Sequence, residues 1–132
     1  MASALYPKWV EGLMQHNSNT DLDNANLKVA LVDTGTYTYS TAHDFYNDVS
    51  TAVVGTPVAL TSGRSYTNGV FDAADVTFTS VSGSSVEAVV IYIDTGTAST
   101  SPLIAYIDGI TLTPSGNDVL CKWNASGIFK MV

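Results

Sequence analysis

The stretch Glu87-Ala-Val-Val-Ile-Tyr-Ile-Asp94 decides the fold of this 132-residue chain. It carries no charge between its two acidic ends, so neither face of the segment suits contact with water. β-Branched and aromatic side chains dominate it, and these favour strands. The sequence therefore predicts a central strand buried on both faces. Val89, Ile91 and Ile93 form one face, and Val90 and Tyr92 form the other.

Shorter segments of similar character lie on either side of this strand. Leu27–Asp33 is a strong strand, and Leu103–Asp108 is expected to return beside the central one. Val53–Leu60 contains Gly55 and Pro57, which predict an edge strand or a bent one. Further segments that predict a hairpin turn or a strand are Asn68-Gly69, Val76–Val81, Ile110–Thr113, Val119–Asn124 and Ile128–Val132.

Two short helices are predicted outside the strands. Pro7 can occupy the first position of an N-terminal helix, where its missing N–H costs nothing. Thr41 can cap a second helix, with Asp44 in its first turn. Eight or more short strands with regular turns predict a mainly β, jelly-roll-like β-sandwich. We expect a single domain over residues 1–132, with residues 1–16 as its N-terminal helical segment and a possible anchor.

Composition and charge narrow the possible partners. Charged residues make up 13% of the chain and the net charge is −7. The five basic residues are dispersed, so no stripe of positive charge could follow a phosphate backbone or an anionic membrane. The first residues do not form a signal peptide, and no apolar run approaches the length of a membrane span. We expect no nucleic-acid or membrane partner, and an exterior that contacts other protein.

The tetrapeptide Asp-Thr-Gly-Thr occurs twice, at Asp33–Thr36 and Asp94–Thr97. Each copy follows an apolar run, as in the aspartic proteases, where two aspartates about 3 Å apart share a proton. Two protease lobes would each have only half of this small chain. A strand that ends in a tight turn explains the same residues, since Asp and Thr bond the local backbone there. We predict that neither Asp33 nor Asp94 is catalytic.

Other candidate sites are weaker. Cys121 is a lone cysteine in a strand-like run, and it is expected to be a small buried apolar residue. Asp72 and Asp75 lack the compact ligand set that calcium needs. No serine stands in a recognisable nucleophile turn. We expect no catalytic residue, no cofactor and no metal site.

Aromatic residues supply the candidates for partner contact. Tyr37 and Tyr39 share one face of an extended segment, where they could stack on a sugar, bind a protein or cover the sandwich. Tyr6, Trp9 and Leu13 give the N-terminal segment an apolar side. That segment could anchor the protein to a partner, or it could cover one end of its own sandwich.

Four stretches resemble small structural proteins of tailed bacteriophages. They are Ala4–Trp9, Val29–Tyr39, Val86–Thr97 and Trp123–Phe129. Some phage proteins of this size are decoration, or cement, proteins, which coat the major capsid protein and often form jelly-roll trimers. The resemblance implies a protein made in the bacterial cytoplasm that binds the major capsid protein at the virion surface, as a trimer and without catalysis. Alternatives are a tail or fibre component with a carbohydrate- or protein-binding sandwich and, remotely, an aspartic hydrolase.

Overall fold

The structure, a computed structural model, describes residues 3–131. One α-helix, α1, spans Pro7–Met14 in this part of the chain, and short 3₁₀ turns occur at Tyr46–Asp48, Ser50–Ala52, Thr67–Gly69 and Ala98–Thr100. The strands are β1 (Ala4–Leu5), β2 (Leu27–Val32), β3 (Val53–Ala59), β4 (Val70–Phe71), β5 (Val76–Phe78), β6 (Val86–Ile93), β7 (Leu103–Leu112), β8 (Val119–Cys121) and β9 (Phe129–Lys130).

Strand β6 lies at the centre of a five-stranded antiparallel sheet with the order β1-β7-β6-β2-β3. Every residue of β6 except Glu87 is buried. The predicted central strand is therefore confirmed, and β7 returns beside it as expected. Ile110–Thr113 is not a separate strand, because β7 continues through to Leu112 past an irregularity in its pairing with β6.

Both faces of the sheet are covered. On one face, Leu31 and Val89 lie beside β8, and β8 pairs with β5. On the same face, Ala105 lies beside Phe129 of β9. Strand β9 pairs with β4. The opposite face is covered by residues 33–52, whose tyrosines contact Tyr92 and Tyr106 of the sheet. The mainly β, sandwich-like fold is confirmed, although its layers are unequal, unlike the double sheet of a regular jelly roll.

Strand β3 is the bent edge strand that Gly55 and Pro57 predict. Gly55 has φ +73°, a value that side-chain-bearing residues rarely adopt, and the pairing with β2 shifts register between Val29 and Leu31. The predicted Asn-Gly turn also forms, with positive φ at both Asn68 and Gly69. Ser65 and Asp72 form an isolated antiparallel bridge across this turn, whereas Val70 and Phe71 of β4 pair with β9.

The N-terminal helix is confirmed, with Pro7 in its first turn. The second predicted helix is wrong. Thr41 lies in a turn, and Phe45 is extended because it pairs with Pro102 in an isolated β-bridge. A 3₁₀ turn begins only at Tyr46, whose backbone N–H donates to Ser101. Contacts with the segment before β7 therefore outweigh the local preference for a helix. The prediction for Val132 lies outside the described residues.

Candidate interaction surface

The two Asp-Thr-Gly-Thr turns lie at opposite ends of the sheet. Strands β2 and β6 are antiparallel, and Leu27 pairs with Ile93 while Val32 pairs with Ala88. The turns after Val32 and Ile93 are therefore separated by the length of a strand, roughly 20 Å at ~3.3 Å per residue. The carboxylates of Asp33 and Asp94 cannot share a proton within one chain at that separation.

Each aspartate is bonded locally instead. Asp33 accepts hydrogen bonds from the Gly35 N–H, at 2.9 Å, and the Thr36 hydroxyl, at 3.1 Å. Asp94 accepts one from the Gly96 N–H and pairs with the Lys28 ammonium at 2.8 Å. The Lys28 hydrogen bond is the main reason that the pKa of Asp94 is lowered. Both turns thus act as strand terminators, and the second also connects β6 to β2.

Tyrosine and histidine side chains form a line across the face of the sheet that residues 33–52 cover. The Tyr37 hydroxyl lies 2.8 Å from the Tyr6 hydroxyl and 2.7 Å from Nδ1 of His43. Burial raises the pKa of Tyr37 to about 12 and raises that of Tyr6 further. Both phenols therefore keep their protons at neutral pH, and the hydrogen bond between them joins residues 33–52 to the N-terminal segment.

The five predicted interface residues divide into three groups by their exposure. Tyr6, Trp9 and Tyr37 are buried in the chain's own core. Tyr39 is half-buried, and its hydroxyl donates to the Leu5 carbonyl at 2.9 Å. Leu13 is exposed. The N-terminal segment therefore covers one end of its own sandwich, which was the second interpretation of its apolar side, and Leu13 with part of Tyr39 remains available to a partner.

The remaining candidates for a reactive or metal-binding group are the Cys121 thiol and the carboxylates of Asp72 and Asp75. Burial raises the pKa of the Cys121 thiol to about 11, so little of the nucleophilic thiolate forms at neutral pH. Asp72 and Asp75 bond backbone N–H groups of Ala73 and Trp123. Among residues 3–131, no three His, Cys, Asp or Glu side chains are grouped as a metal site. Within the same range, no helix has the length and apolar character needed to cross a membrane.

Five of the six large exposed apolar side chains lie in two patches. Leu13, Tyr66 and Met131 line an open groove of about 320 Å³ whose floor includes Trp9 and Leu22, and Met14 follows Leu13 at the end of α1. We call this surface the groove. The second patch contains Ile110 and Leu120, beside a smaller cleft that reaches Leu31 and Val89. Among the described residues, these six side chains are the large hydrophobics that remain exposed.

Sequence reasoning found only Leu13 of these six as a partner-binding residue. Tyr66 and Met131 sit in segments that have no periodic pattern, and their approach to Leu13 depends on the tertiary fold. The exposure of Leu120 could be predicted from a local pattern. It alternates with the half-buried Val119 and Cys121 in a strand, so its side chain is expected to point outward.

Comparisons with known proteins add no family to this description. No family model matches the chain, and no curated protein matches it significantly.

Proposed function

We propose that this chain is a structural protein of a tailed-phage virion that binds the assembled capsid shell as a symmetric oligomer and stabilises it without chemistry. The observation that carries the proposal is the gathering of exposed apolar side chains into two separate patches. Patches of this kind, on a domain that already has a complete core, are typical of protein–protein contact. A decoration protein that acts as a symmetric oligomer makes protein contacts of this kind with neighbouring copies as well as with the shell.

Charge and sequence support the same role. The net charge of −7 and the dispersed basic residues suit a protein that coats the outside of a shell rather than binding the packaged DNA. The four stretches that resemble small phage structural proteins include β6, most of β2 and the turns that follow them. These two strands are neighbours in the sheet. The resemblance thus rests in part on residues that build the fold.

Binding to an assembled shell in preference to free capsid subunits would stabilise the particle by mass action. A symmetric oligomer strengthens this effect, because its second and third contacts form within one complex. The experiment mixes purified protein with undecorated shells and measures co-sedimentation and the temperature of DNA release. We expect saturable binding and a higher release temperature. A protein that binds no shell would rule out the decoration role.

Deleting residues 2–16 would not identify the shell contact. The deletion removes α1, β1, and the buried Tyr6 and Trp9, so the expected result is unfolding. Exposed positions give a cleaner test. Met14→Asp changes a side chain that is 76% exposed, and Thr56→Asp, on the exposed edge of β3, is its control. If the end of α1 contacts the shell, Met14→Asp weakens co-sedimentation and Thr56→Asp does not.

A second candidate function rests on a different surface. Thr34, Thr38, Tyr39, Tyr106 and Asp108 line a cleft of about 250 Å³. Hydroxyl groups, a carboxylate and an accessible tyrosine are groups that recognise a sugar. The cleft therefore suits the alternative function, a tail or fibre component that binds carbohydrate. Tyr39→Ala should then abolish retention on immobilised cell-wall glycan. Equal retention of Tyr39→Ala and the wild-type protein would remove this candidate.

A further inference from the structure

We infer that the two apolar patches bind each other between copies, with the Leu120–Lys122 segment of one copy in the groove of the next. This deepens the proposed function by specifying how its oligomer forms, although the contact itself requires no shell. It rests on the shapes, charges and positions of the two surfaces.

The groove can receive one bulky apolar side chain. Trp9 and Leu22 line its floor, and Leu13, Tyr66 and Met131 line its walls. Trp9 is fixed there because its Nε1–H donates to the Thr20 carbonyl at 2.9 Å. The volume of about 320 Å³ exceeds the ~150 Å³ of an apolar cavity that can hold benzene. A leucine side chain therefore fits within it.

The rim of the groove is acidic. Asp23 lines the groove, and Asp21, two residues earlier in the same loop, accepts a hydrogen bond from the Asn24 side-chain amide at 3.2 Å. Arg64 is the nearby cation, and it donates hydrogen bonds to the carbonyls of Leu22 and Asn24. Two carboxylates and one guanidinium leave an excess of one negative charge. The groove therefore favours an apolar side chain that is accompanied by a basic one.

Leu120 in strand β8 and Lys122, just after the strand, supply this pair of groups. The residues from Val119 to Trp123 alternate between half-buried and exposed, so Leu120 and Lys122 point outward on one face. Leu120 is 57% exposed. Lys122 has no ion-pair partner among the described residues. The Leu120–Lys122 segment thus complements the groove in both polarity and charge.

The two surfaces lie toward opposite ends of β2. The groove includes Leu22, which precedes β2. The second patch, with Ile110 and Leu120, adjoins Leu31, near the last residue of that strand. One copy can therefore use both surfaces at once, each with a different neighbour. Contacts between unlike surfaces are heterologous, and they form a ring when the rotation between copies closes. The proposed trimer is one such ring.

Sedimentation equilibrium of the full chain, without shells and up to about 1 mM protein, tests the contact. We expect a mass above that of the monomer, rising with concentration. Leu120→Asp, Asp23→Lys and Lys122→Asp should each lower the association constant at least about tenfold. The double variant Asp23→Lys/Lys122→Asp restores opposite charges and should recover to within about threefold of the wild-type value.

The controls separate association from folding and from net charge. All three positions are exposed, so the urea midpoint of each variant should match that of the wild-type protein. Lys8→Asp makes the same charge change as Lys122→Asp on an exposed side chain outside both patches, and it should associate normally. A monomeric wild-type protein, or a double variant no better than the single ones, would overturn the inference. Either result would leave shell binding to be judged by co-sedimentation.

Discussion

At the scale of single residues, the Tyr37 hydroxyl joins the N-terminal segment to the segment that covers the sheet. It is the hydrogen-bond partner of Tyr6, whose side chain is fully buried, and it also contacts His43. Removing that hydroxyl leaves the Tyr6 hydroxyl without a partner in a place that water does not reach. The cost of an orphaned buried hydroxyl is about 1–3 kcal/mol.

Tyr37→Phe should therefore lower the free energy of unfolding by about 1–3 kcal/mol in urea. Tyr39→Phe is the matched control, because its hydroxyl donates to the Leu5 carbonyl from a half-buried position that water can reach more easily. We expect the control to cost clearly less, about 0.5–1.5 kcal/mol. An equal or larger effect of Tyr39→Phe would contradict the role given to Tyr37.

The Asp94–Lys28 pair makes stability depend on pH. The pKa of Asp94 is lowered in the folded protein, chiefly by the Lys28 hydrogen bond, so the folded state binds its proton less readily than the unfolded state. The pair's contribution is complete above the unfolded pKa of about 4, and it is lost as pH falls through the lower folded pKa. Both side chains are about one-third exposed, so solvent limits the contribution to about 1 kcal/mol or less.

Asp94→Asn should therefore cost most at neutral pH and progressively less in acid, as measured by urea unfolding between pH 2 and pH 7. Asp33→Asn is the control, since the same turn there bonds Gly35 and Thr36 and no lysine. This variant therefore reports the cost of losing the hydrogen bonds of such a turn where no ion pair is present. A pH-independent cost for Asp94→Asn would show that the ion pair does not contribute.

At the scale of elements, β6 supports the rest of the sheet. It pairs with β2 on one side and β7 on the other, and both of its faces are buried. Val90 and Ile91 point to opposite faces, and both are fully buried. A carboxylate at either position would be buried without a partner.

Val90→Asp and Ile91→Asp should each prevent folding, because an unpaired buried charge costs several kcal/mol. Thr56→Asp, in the exposed edge of β3, should fold with almost unchanged stability. Circular dichroism and urea titration of the three proteins test this. Cooperative unfolding of both β6 variants near the wild-type midpoint would mean that the strand is not the centre of the core.

Predictions from sequence succeeded where one local property sufficed. The continuous apolar run defines β6, Pro7 marks the start of α1, and Gly55 marks the bend in β3. They failed where a distant partner decides the structure. The 3₁₀ turn at Tyr46 forms beside Tyr92 and Ser101, and the groove combines residues from four separated segments. No local pattern contains those contacts.

At the scale of the whole molecule, the chain has one continuous core and two apolar patches that its own fold leaves uncovered. The patches are the part of the molecule on which the proposed assembly rests. Fold alone does not identify a function. The proposed role therefore has to be tested by finding whether the protein is part of a phage particle and where.

Electron microscopy of phage particles tests this claim most directly, with antibody-labelled copies of the chain compared between complete particles and particles from a phage lacking its gene. We predict label at regularly repeated positions over the capsid surface, together with matching density that is absent from the deletion particles. Label confined to the tail or fibres, or absent from particles altogether, would contradict the decoration role.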